Sequence, residues 1–258
     1  MKISIVTAAY NSAATLPDTM RSVLAQSYPD WEHIIVDGAS KDSTGELLRG
    51  MEPRYGGRLR WVSEPDHGIY DAMNKGIAMA TGDVIGILNS DDFFTGPGVL
   101  TRVATEMLAD DVDAVYGDIH YVDEGDLERP VRYYSSRGFT RRRMLLGYQP
   151  AHPSFYCRRS VYERYGAFDT DFRVAADFEN MLRLIYIHRI RTRYVPMDFV
   201  TMRTGGASTA GLASHRRILR DHYRAYTKHR LPVAYMLDVL RYPLKLAELV
   251  RGRQKLAR

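Results

Sequence analysis

Cysteine is almost absent: Cys157 is the single one in 258 residues. No intrachain disulfide can form, and no multi-cysteine metal site is available. A reduced, cytosolic compartment suits that count. Long apolar runs are missing too. The longest stretch without a charge, residues 3–17, is interrupted by Thr7, Asn11, Ser12 and Thr15, so no transmembrane helix is expected. The N-terminus lacks the order of basic, apolar and small residues that marks a signal peptide. These absences predict an internal, soluble-type protein. Repeats and low-complexity linkers are also lacking. With 45% hydrophobic and 26% charged residues, the chain is neither disordered nor fibrous.

An even spread of charge is lacking as well. Residues 1–100 carry 8 basic and 13 acidic side chains, residues 101–200 carry 15 of each, and residues 201–258 carry 13 basic against 3 acidic. A uniformly basic nucleic-acid binder would not show this gradient, and no nucleic-acid partner is expected. It reads as an acidic, metal-binding first half followed by a basic tail directed at something anionic.

What is present is alternation. Short β-branched runs at residues 2–8, 33–37, 59–63 and 84–88 interleave with helical patterns at 12–27, 43–51 and 70–80. Pro17 is tolerable only in a first helical turn. The run VIGIL is wholly apolar and reads as a central strand. Such an order predicts an α/β fold, a mostly parallel sheet with helices on both faces. Ligands of these sheets sit at the carboxyl ends of the strands. Residues 7–11, 37–40, 64–68 and 89–92 each fall just past such an end. Farther on, residues 114–122 and 131–135 read as an antiparallel pair around an acidic turn at 123–128. Helices are expected at 159–166 and 175–188, with a strand at 192–196. Two basic helical stretches divided near Pro232 close the chain, and a boundary falls near residue 208.

The chemistry-bearing types lie in those loops. Asn89-Ser90-Asp91-Asp92 places two adjacent carboxylates at the open edge, a costly repulsion unless a cation offsets it. Mg²⁺ typically takes one or two carboxylates plus phosphate oxygens; the plainer reading is a solvated turn or helix cap. Asp37 at the tip of the second strand can accept hydrogen bonds from a base or ribose, or cap the next helix. In the stretch DHGIYDAMNKG, Asp66, Asn74 and Lys75 are candidates for nucleotide-sugar contact, Lys75 as a point charge for a diphosphate. Gly68 and Gly76 would allow close backbone approach. Ile69, Met73, Ile77 and Ala80 form one apolar stripe, and His67 reads as an ordinary loop histidine.

The segments SIVTAAYNSAATLPDTMRSVLAQSYPDWEHIIVDGASKDST, EPDHGIYDAMNKGIAMATGDVIGILNSDD and HPSFYCRRSVYERYGAFDTDFRVAADFENMLRL occur in this order. Together they resemble the inverting family-2 glycosyltransferases of the GT-A fold, in the bacterial branch that assembles capsule, exopolysaccharide, O-antigen and glycolipid sugars. The likeness spans roughly residues 1–190. It implies a Rossmann-like, GT-A-type mixed sheet over residues 1–208, with a nucleotide half at 1–95, an acceptor half at 96–208, and a helical basic tail at 209–258. It implies that Thr7, Ala8, Tyr10 and Asp37 line the nucleotide pocket. Asp91 and Asp92 would match the DxD-type element that contacts ribose, Mg²⁺ or Mn²⁺ and diphosphate, and Asp177 the catalytic base. Three departures stand out. Asn89 replaces the usual first Asp, Met73 a common Arg, and Ala176 the Glu of the family's ED pair.

Helix geometry supports Asp177 independently. Two residues along a helix is about 200° of rotation, so Asp177 and Glu179 cannot face one pocket. The plainer role for Asp177 is a carboxylate favoured by the helix dipole. The implied reaction moves a sugar from a UDP, GDP or dTDP donor to a sugar or lipid-linked acceptor. Two other readings stay open, a sugar nucleotidyltransferase and a non-catalytic sugar-nucleotide or membrane-binding module. The first is disfavoured because Thr7-Ala8-Ala9-Tyr10-Asn11 has no glycine to cradle a triphosphate. In the tail, Arg216, Arg217, Arg220, Arg224, Lys228, Arg230, Arg241, Lys245, Arg251, Arg253, Lys255 and Arg258 interleave with leucines and tyrosines. That pattern suits a helix lying on an anionic membrane, at the inner face of the plasma membrane, or one packed on the catalytic domain.

Overall fold

The computed structural model describes residues 1–109, 111–205, 211–231 and 233–236. Its first half runs β1 (Ile3–Ala9), α1 (Leu16–Leu24), β2 (Trp31–Asp37), α2 (Thr44–Tyr55), β3 (Leu59–Ser63), α3 (Ile69–Met79) and β4 (Val84–Ile87). Then follow β5 (Phe93–Phe94), α4 (Val99–Met107), β6 (Ala114–Asp123), β7 (Asp126–Tyr134), β8 (Phe155–Arg158), α5 (Arg159–Tyr165), α6 (Ala176–Met181), β9 (Thr192–Arg203) and α7 (Gly211–Lys228). A π-helical stretch, Leu182–Ile187, continues α6.

The strands form one mixed sheet in the order β3-β2-β1-β4-β8-β6-β9-β5, with β7 paired to β6. β1 to β4 are mutually parallel and β8 enters antiparallel between β4 and β6. Every residue of β1, β2 and β4 is buried, as a sheet covered on both faces requires. Alternation then decides which layer each side chain joins. Ile3, Ile5, Trp31 and Ile35 pack with Leu16 and Met20 of α1, Leu48 of α2 and Val103 of α4. Val6, Ala8, Ile34 and Val36 pack with Met73 of α3, Tyr162 of α5, Phe178 of α6 and Tyr226 of α7. Each fully buried aliphatic side chain contributes about 1.5–3 kcal/mol.

Several boundaries differ from the sequence reading: α1 covers Leu16–Leu24 instead of 12–27, and three other differences involve a proline. β9 runs on to Arg203 instead of stopping at Pro196, because it bulges against β6, with residues 195–197 standing opposite Gly117 alone. Pro196 sits in that bulge, where no ladder hydrogen bond is lost. β7 begins at Asp126, five residues before the expected start, and accepts Pro130 because it pairs on one side only. The acidic turn therefore shrinks to Glu124 and Gly125. The third difference is α2, which runs through Pro53 to Tyr55.

Two expectations for α3 also change. Ile69 is 48% exposed and does not join the stripe; the buried side is Ala72, Met73, Gly76, Ile77 and Ala80. Gly76 serves packing rather than ligand approach, since a Cβ there would stand 2.3 Å from Val6 Cγ1. Its bare backbone lets α3 press on β1.

Candidate active site

The carboxyl ends of the parallel strands lie in a row, with Ala9 beside Asp37 and Asp37 beside Ser63. The loops beyond them are stitched together. Asn11 N donates to Ser40 Oγ at 2.7 Å, Lys41 N to Asn11 Oδ1 at 2.9 Å, and Ser12 and Ser90 hydroxyls meet at 2.9 Å. Asn11 and Ala39 hold φ of 50° and 58°, left-handed conformations that cost energy for residues with a Cβ. The hydrogen bonds between the loops keep them there.

Within this edge the expected nucleotide residues differ in availability. Asp37 is 1% exposed, and its carboxylate accepts from the Ser40 hydroxyl and, at 2.6 Å, from Ser63 Oγ. Tyr10, by contrast, is 59% exposed. Gly38 brings Tyr10 and Asp66 together: a Cβ there would lie 2.4 Å from Asp66 Oδ2 and 3.3 Å from Tyr10 Cδ2. Thr7 is wholly buried, its hydroxyl donating to the Leu88 carbonyl at 2.7 Å and meeting His33 Nε2 at 3.0 Å. His33 in turn meets Tyr55, and burial depresses its pKa to about 3, so the ring stays neutral inside the core. Ala8 is buried in the opposite layer.

The α3 candidates are engaged with the chain itself. Asn74 exchanges two hydrogen bonds with the Phe168 backbone, at 2.8 and 2.9 Å, and so ties α3 to the loop before α6. Lys75 Nζ lies 2.9 Å from Glu64 Oε1 and 3.6 Å from Asp71 Oδ2, and these carboxylates, Glu64 first, raise its pKa. Gly68 caps α3 at φ +120° with open space around it.

Asp91 and Asp92 follow β4 but sit differently. Asp91 is half-buried. Asp92 is 1% exposed, with Oδ2 accepting from Asn89 Nδ2 at 2.9 Å and Oδ1 buried with no hydrogen-bond partner. Burial first, then the Asp91 charge, pushes the Asp92 pKa up to about 8. The unpartnered oxygen and the adjacent carboxylate are hard donors suited to Mg²⁺ or Mn²⁺. Among the described residues no group of three His, Cys, Asp or Glu could hold a metal ion. Further ligands would thus come from substrate phosphate and water. Arg203, at the end of β9, donates to the Asp91 carbonyl and pairs with Asp18, so it clamps this loop from the far half of the sheet.

Asp177 lies half-buried in the first turn of α6. Gln149 Nε2 donates to Oδ2 at 2.8 Å, and the Tyr70 hydroxyl stands 3.3 Å from Oδ1. Half-buried His152 is close enough to feel the Asp177 charge, although desolvation dominates and lowers its pKa. Glu179 faces the other way, wholly buried against Arg183, Lys228 and His229. The two carboxylates thus lie on different sides of α6, as helical rotation requires. Beside Tyr70 opens a cleft of about 500 Å³ lined by His67, Ile69, Tyr70, Asp71, Phe172 and Arg173. Sequence reasoning missed Tyr70, Gln149, His152 and Arg203. The one available signal was a Gln and a His standing in the apolar stretch GYQPAHPSF.

Of the tail, α7 packs through Ala225 and Tyr226 into the core beneath α6. Leu237, Leu240, Arg241, Leu244, Lys245, Val250, Arg251, Arg253, Lys255 and Arg258 lie outside the described residues. No helix among the described residues is long and apolar enough to cross a membrane.

A doubly covered, mostly parallel sheet with carboxylates gathered at its strand ends defines a nucleotide-dependent α/β protein of GT-A type. Residues 4–166 match the model of glycosyl transferase family 2, and the chain belongs to that family. It is 36% identical over 220 residues to an uncharacterized glycosyltransferase of Mycobacterium tuberculosis, covering 83% of this chain and 78% of that one. It is 31% identical over 193 residues to a PGL/p-HBAD biosynthesis glycosyltransferase of the same species, covering 74% and 73%. In fold it matches S. aureus TarS 1–349 in complex with UDP-GlcNAc, with a TM-score of 0.70 at 17% identity, over 87% of this chain and 66% of that one. It also matches the mannosyltransferase PcManGT from Pyrobaculum calidifontis in complex with GDP-Man and Mn²⁺, with a TM-score of 0.66 at 18% identity, over 99% and 80%.

Proposed function

We propose that this glycosyltransferase carries out a metal-assisted, inverting transfer from a nucleotide-sugar to an acceptor hydroxyl, with Asp177 as the base. The observation that carries the reading is the setting of Asp177. Gln149 donates to one carboxylate oxygen, and the other lies 3.3 Å from the Tyr70 hydroxyl, whose proton goes to the Val174 carbonyl and so fixes the backbone just before Asp177. A base so held can take the acceptor proton as the hydroxyl attacks the anomeric carbon from the side opposite the leaving diphosphate. The cleft beside Tyr70 offers the acceptor a place. Tyr10 and Asp66, which meet over Gly38, would bind the nucleotide, Asp37 would reach it only by leaving Ser40 and Ser63, and Thr7 and Ala8 would shape the floor from within. Asn74 would act by holding α3, and Lys75 would be freed toward the diphosphate only by leaving Glu64.

Asp91 and Asp92 would hold Mg²⁺ or Mn²⁺, which when bound offsets the charge of the departing diphosphate. Residues 1–95 thus serve the donor and 96–208 the acceptor, consistent with Asp177 lying in the second part. The names of relatives in glycolipid synthesis favour a lipid-linked acceptor, and the basic tail at 209–258 favours work at the cytoplasmic face of a membrane. Family membership weighs against the nucleotidyltransferase and the non-catalytic module.

The test is a screen of UDP-, GDP- and dTDP-sugars with the full chain, with Mg²⁺, Mn²⁺ or EDTA, reading nucleoside diphosphate release. Turnover that disappears in EDTA is expected. Donor binding without turnover on any acceptor would return the non-catalytic module to first place.

A further inference from the structure

Helix α6 carries Asp177, yet its N-cap is Ala175, which has no side-chain acceptor for the open backbone N–H groups. The acceptor comes from 46 residues farther along the chain. Asp221 Oδ2, on α7, accepts from Ala175 N at 3.2 Å and from Val174 N at 3.1 Å. Asp221 is only 7% exposed. The next residue, His222, lays its ring on Phe178 at 3.8 Å between centroids and 18° between planes. Val174 is also gripped on its other side, since its carbonyl accepts from Tyr70 at 2.7 Å. The turn that aims Asp177 is therefore held between α3 and α7.

We propose that Asp221 is a positioning residue for the base, so that α7, which lies beyond the residues matched by the family model, is a working part of the active site. The proposal rests on Asp177 being the base. Without Asp221, the buried Ala175 N–H and the half-buried Val174 N–H lose their acceptor and the Val174–Asp177 turn is free to rotate. Tyr70 and Gln149 would then hold the carboxylate of a wandering residue. Misplacement by about 1 Å far from the chemistry can cost on the order of 100-fold. The donor pocket, built from β1 to β4, is untouched by this change.

The experiment uses the full chain and compares Asp221→Ala with Asp221→Asn, whose carboxamide oxygen can still accept from the same N–H groups. Hydrogen exchange of the peptide spanning 172–181 needs no substrate and is expected to quicken in Asp221→Ala and recover in Asp221→Asn. Turnover is read with UDP-GlcNAc or GDP-Man, whichever the wild-type chain consumes. In Asp221→Ala kcat is expected to fall ~10–100-fold while donor affinity stays within about twofold, with Asp221→Asn restoring most of it. Unchanged exchange and kcat in Asp221→Ala would overturn the proposal. So would a joint fall of kcat, donor affinity and Tm that Asn does not rescue, which marks a merely structural residue. Should the Ala variant not fold, Asp221→Glu keeps the charge and shifts the acceptor by one methylene; wild-type kcat there overturns the proposal and a selective loss supports it. Failure of the parent reading is separable. If Asp177→Asn keeps its activity, the base assignment falls whatever Asp221 does; if Asp177→Asn is dead and Asp221→Ala is not impaired, only the positioning role falls.

Discussion

The Tyr70 hydroxyl lies 3.3 Å from Asp177 Oδ1 across 107 residues of sequence, joining the helix after the third strand-end loop to the helix that carries Asp177. Burial and the neighbouring Asp177 charge raise the phenol's pKa, so it remains a hydrogen-bond donor throughout the working pH range. On the proposed reading, this contact would couple the donor edge of the sheet to the acceptor side. Asp177→Asn should fold and bind donor normally while transfer drops about 10²–10⁴-fold, the usual contribution of a general base. Tyr70→Phe should lose up to about tenfold, in keeping with loss of the one hydrogen bond that fixes the Val174 carbonyl ahead of Asp177. Steady-state kinetics with parallel donor titrations checks both. Near wild-type kcat in Asp177→Asn would remove the base assignment, and Glu179 could not replace it because its carboxylate is locked in ion pairs.

The two adjacent carboxylates make separable predictions. Asp91→Asn should abolish the metal dependence of donor binding while leaving Tm nearly unchanged, because Asp91 is half-buried and its carbonyl, not its side chain, meets Arg203. Asp92→Ala should also lose metal-dependent binding, yet without metal its Tm should hold or rise, because relief of a buried, unpartnered carboxylate beside Asp91 offsets the lost Asn89 contact. Calorimetric donor titrations with Mn²⁺ and with EDTA decide the matter. Identical donor affinity in both conditions for the wild-type chain would dismiss the metal.

Glu179 makes stability depend on pH, as does Glu32, whose carboxyl is also brought down to about 2, despite its burial, by bonds from Ser4, Lys2 and Thr81. Burial by itself would raise the Glu179 pKa, but the bonds from His229 and Arg183 and the charge of Lys228 outweigh it and bring the carboxyl down to about 2. A folded-state value below the unfolded one, about 4.3, means the stabilisation is complete above about pH 4.5. It is lost as pH falls toward 2. Glu179→Gln should cost about 3 kcal/mol at neutral pH by leaving Arg183 and His229 short of a partner. Its melting temperature should also fall less steeply than that of the wild type between pH 5 and pH 3. Parallel slopes for the two proteins would contradict the assignment.

How much of this was legible in the sequence follows from the range of the forces involved. β1, β2 and β4 announced themselves because strands buried on both faces need unbroken β-branched runs, and the strand-end loops then had to share one edge. The separation of Asp177 from Glu179 followed from helical rotation alone. Gly76 was misread because a glycine that admits a ligand and one that admits Val6 look the same in one dimension. Ile69 was assigned to the buried stripe by spacing, which ignores that the first turn of α3 overhangs the cleft. Pro196 and Pro130 hid the true lengths of β9 and β7, since their tolerance depends on an irregularity and an edge that exist only in the assembled sheet. Gln149, Tyr70 and Arg203 act through contacts 28, 107 and 112 residues distant in sequence, beyond the reach of any local pattern.

The packing of α7 sharpens the prediction for the tail. A truncation near Leu231 would cut immediately after a helix that buries Tyr226 in the core and would remove Ala234, which is also buried. The informative cut follows residue 236, leaving the catalytic unit whole. Residues 237–258 carry six basic and two acidic side chains among leucines, valines and a tyrosine. Each basic residue near an anionic surface contributes roughly 1 kcal/mol, so this segment can supply reversible attachment without help from α7. Co-sedimentation with vesicles containing anionic lipid should show the full chain binding and the truncated chain remaining in solution. Raising the salt concentration should release the full chain, because the Debye length shrinks from about 10 Å at 0.1 M to about 3 Å at 1 M. Both proteins should retain the same donor affinity, which shows that the cut spares the fold. Equal vesicle binding by the two, or none by either, would remove the tail from the account of how the acceptor is reached.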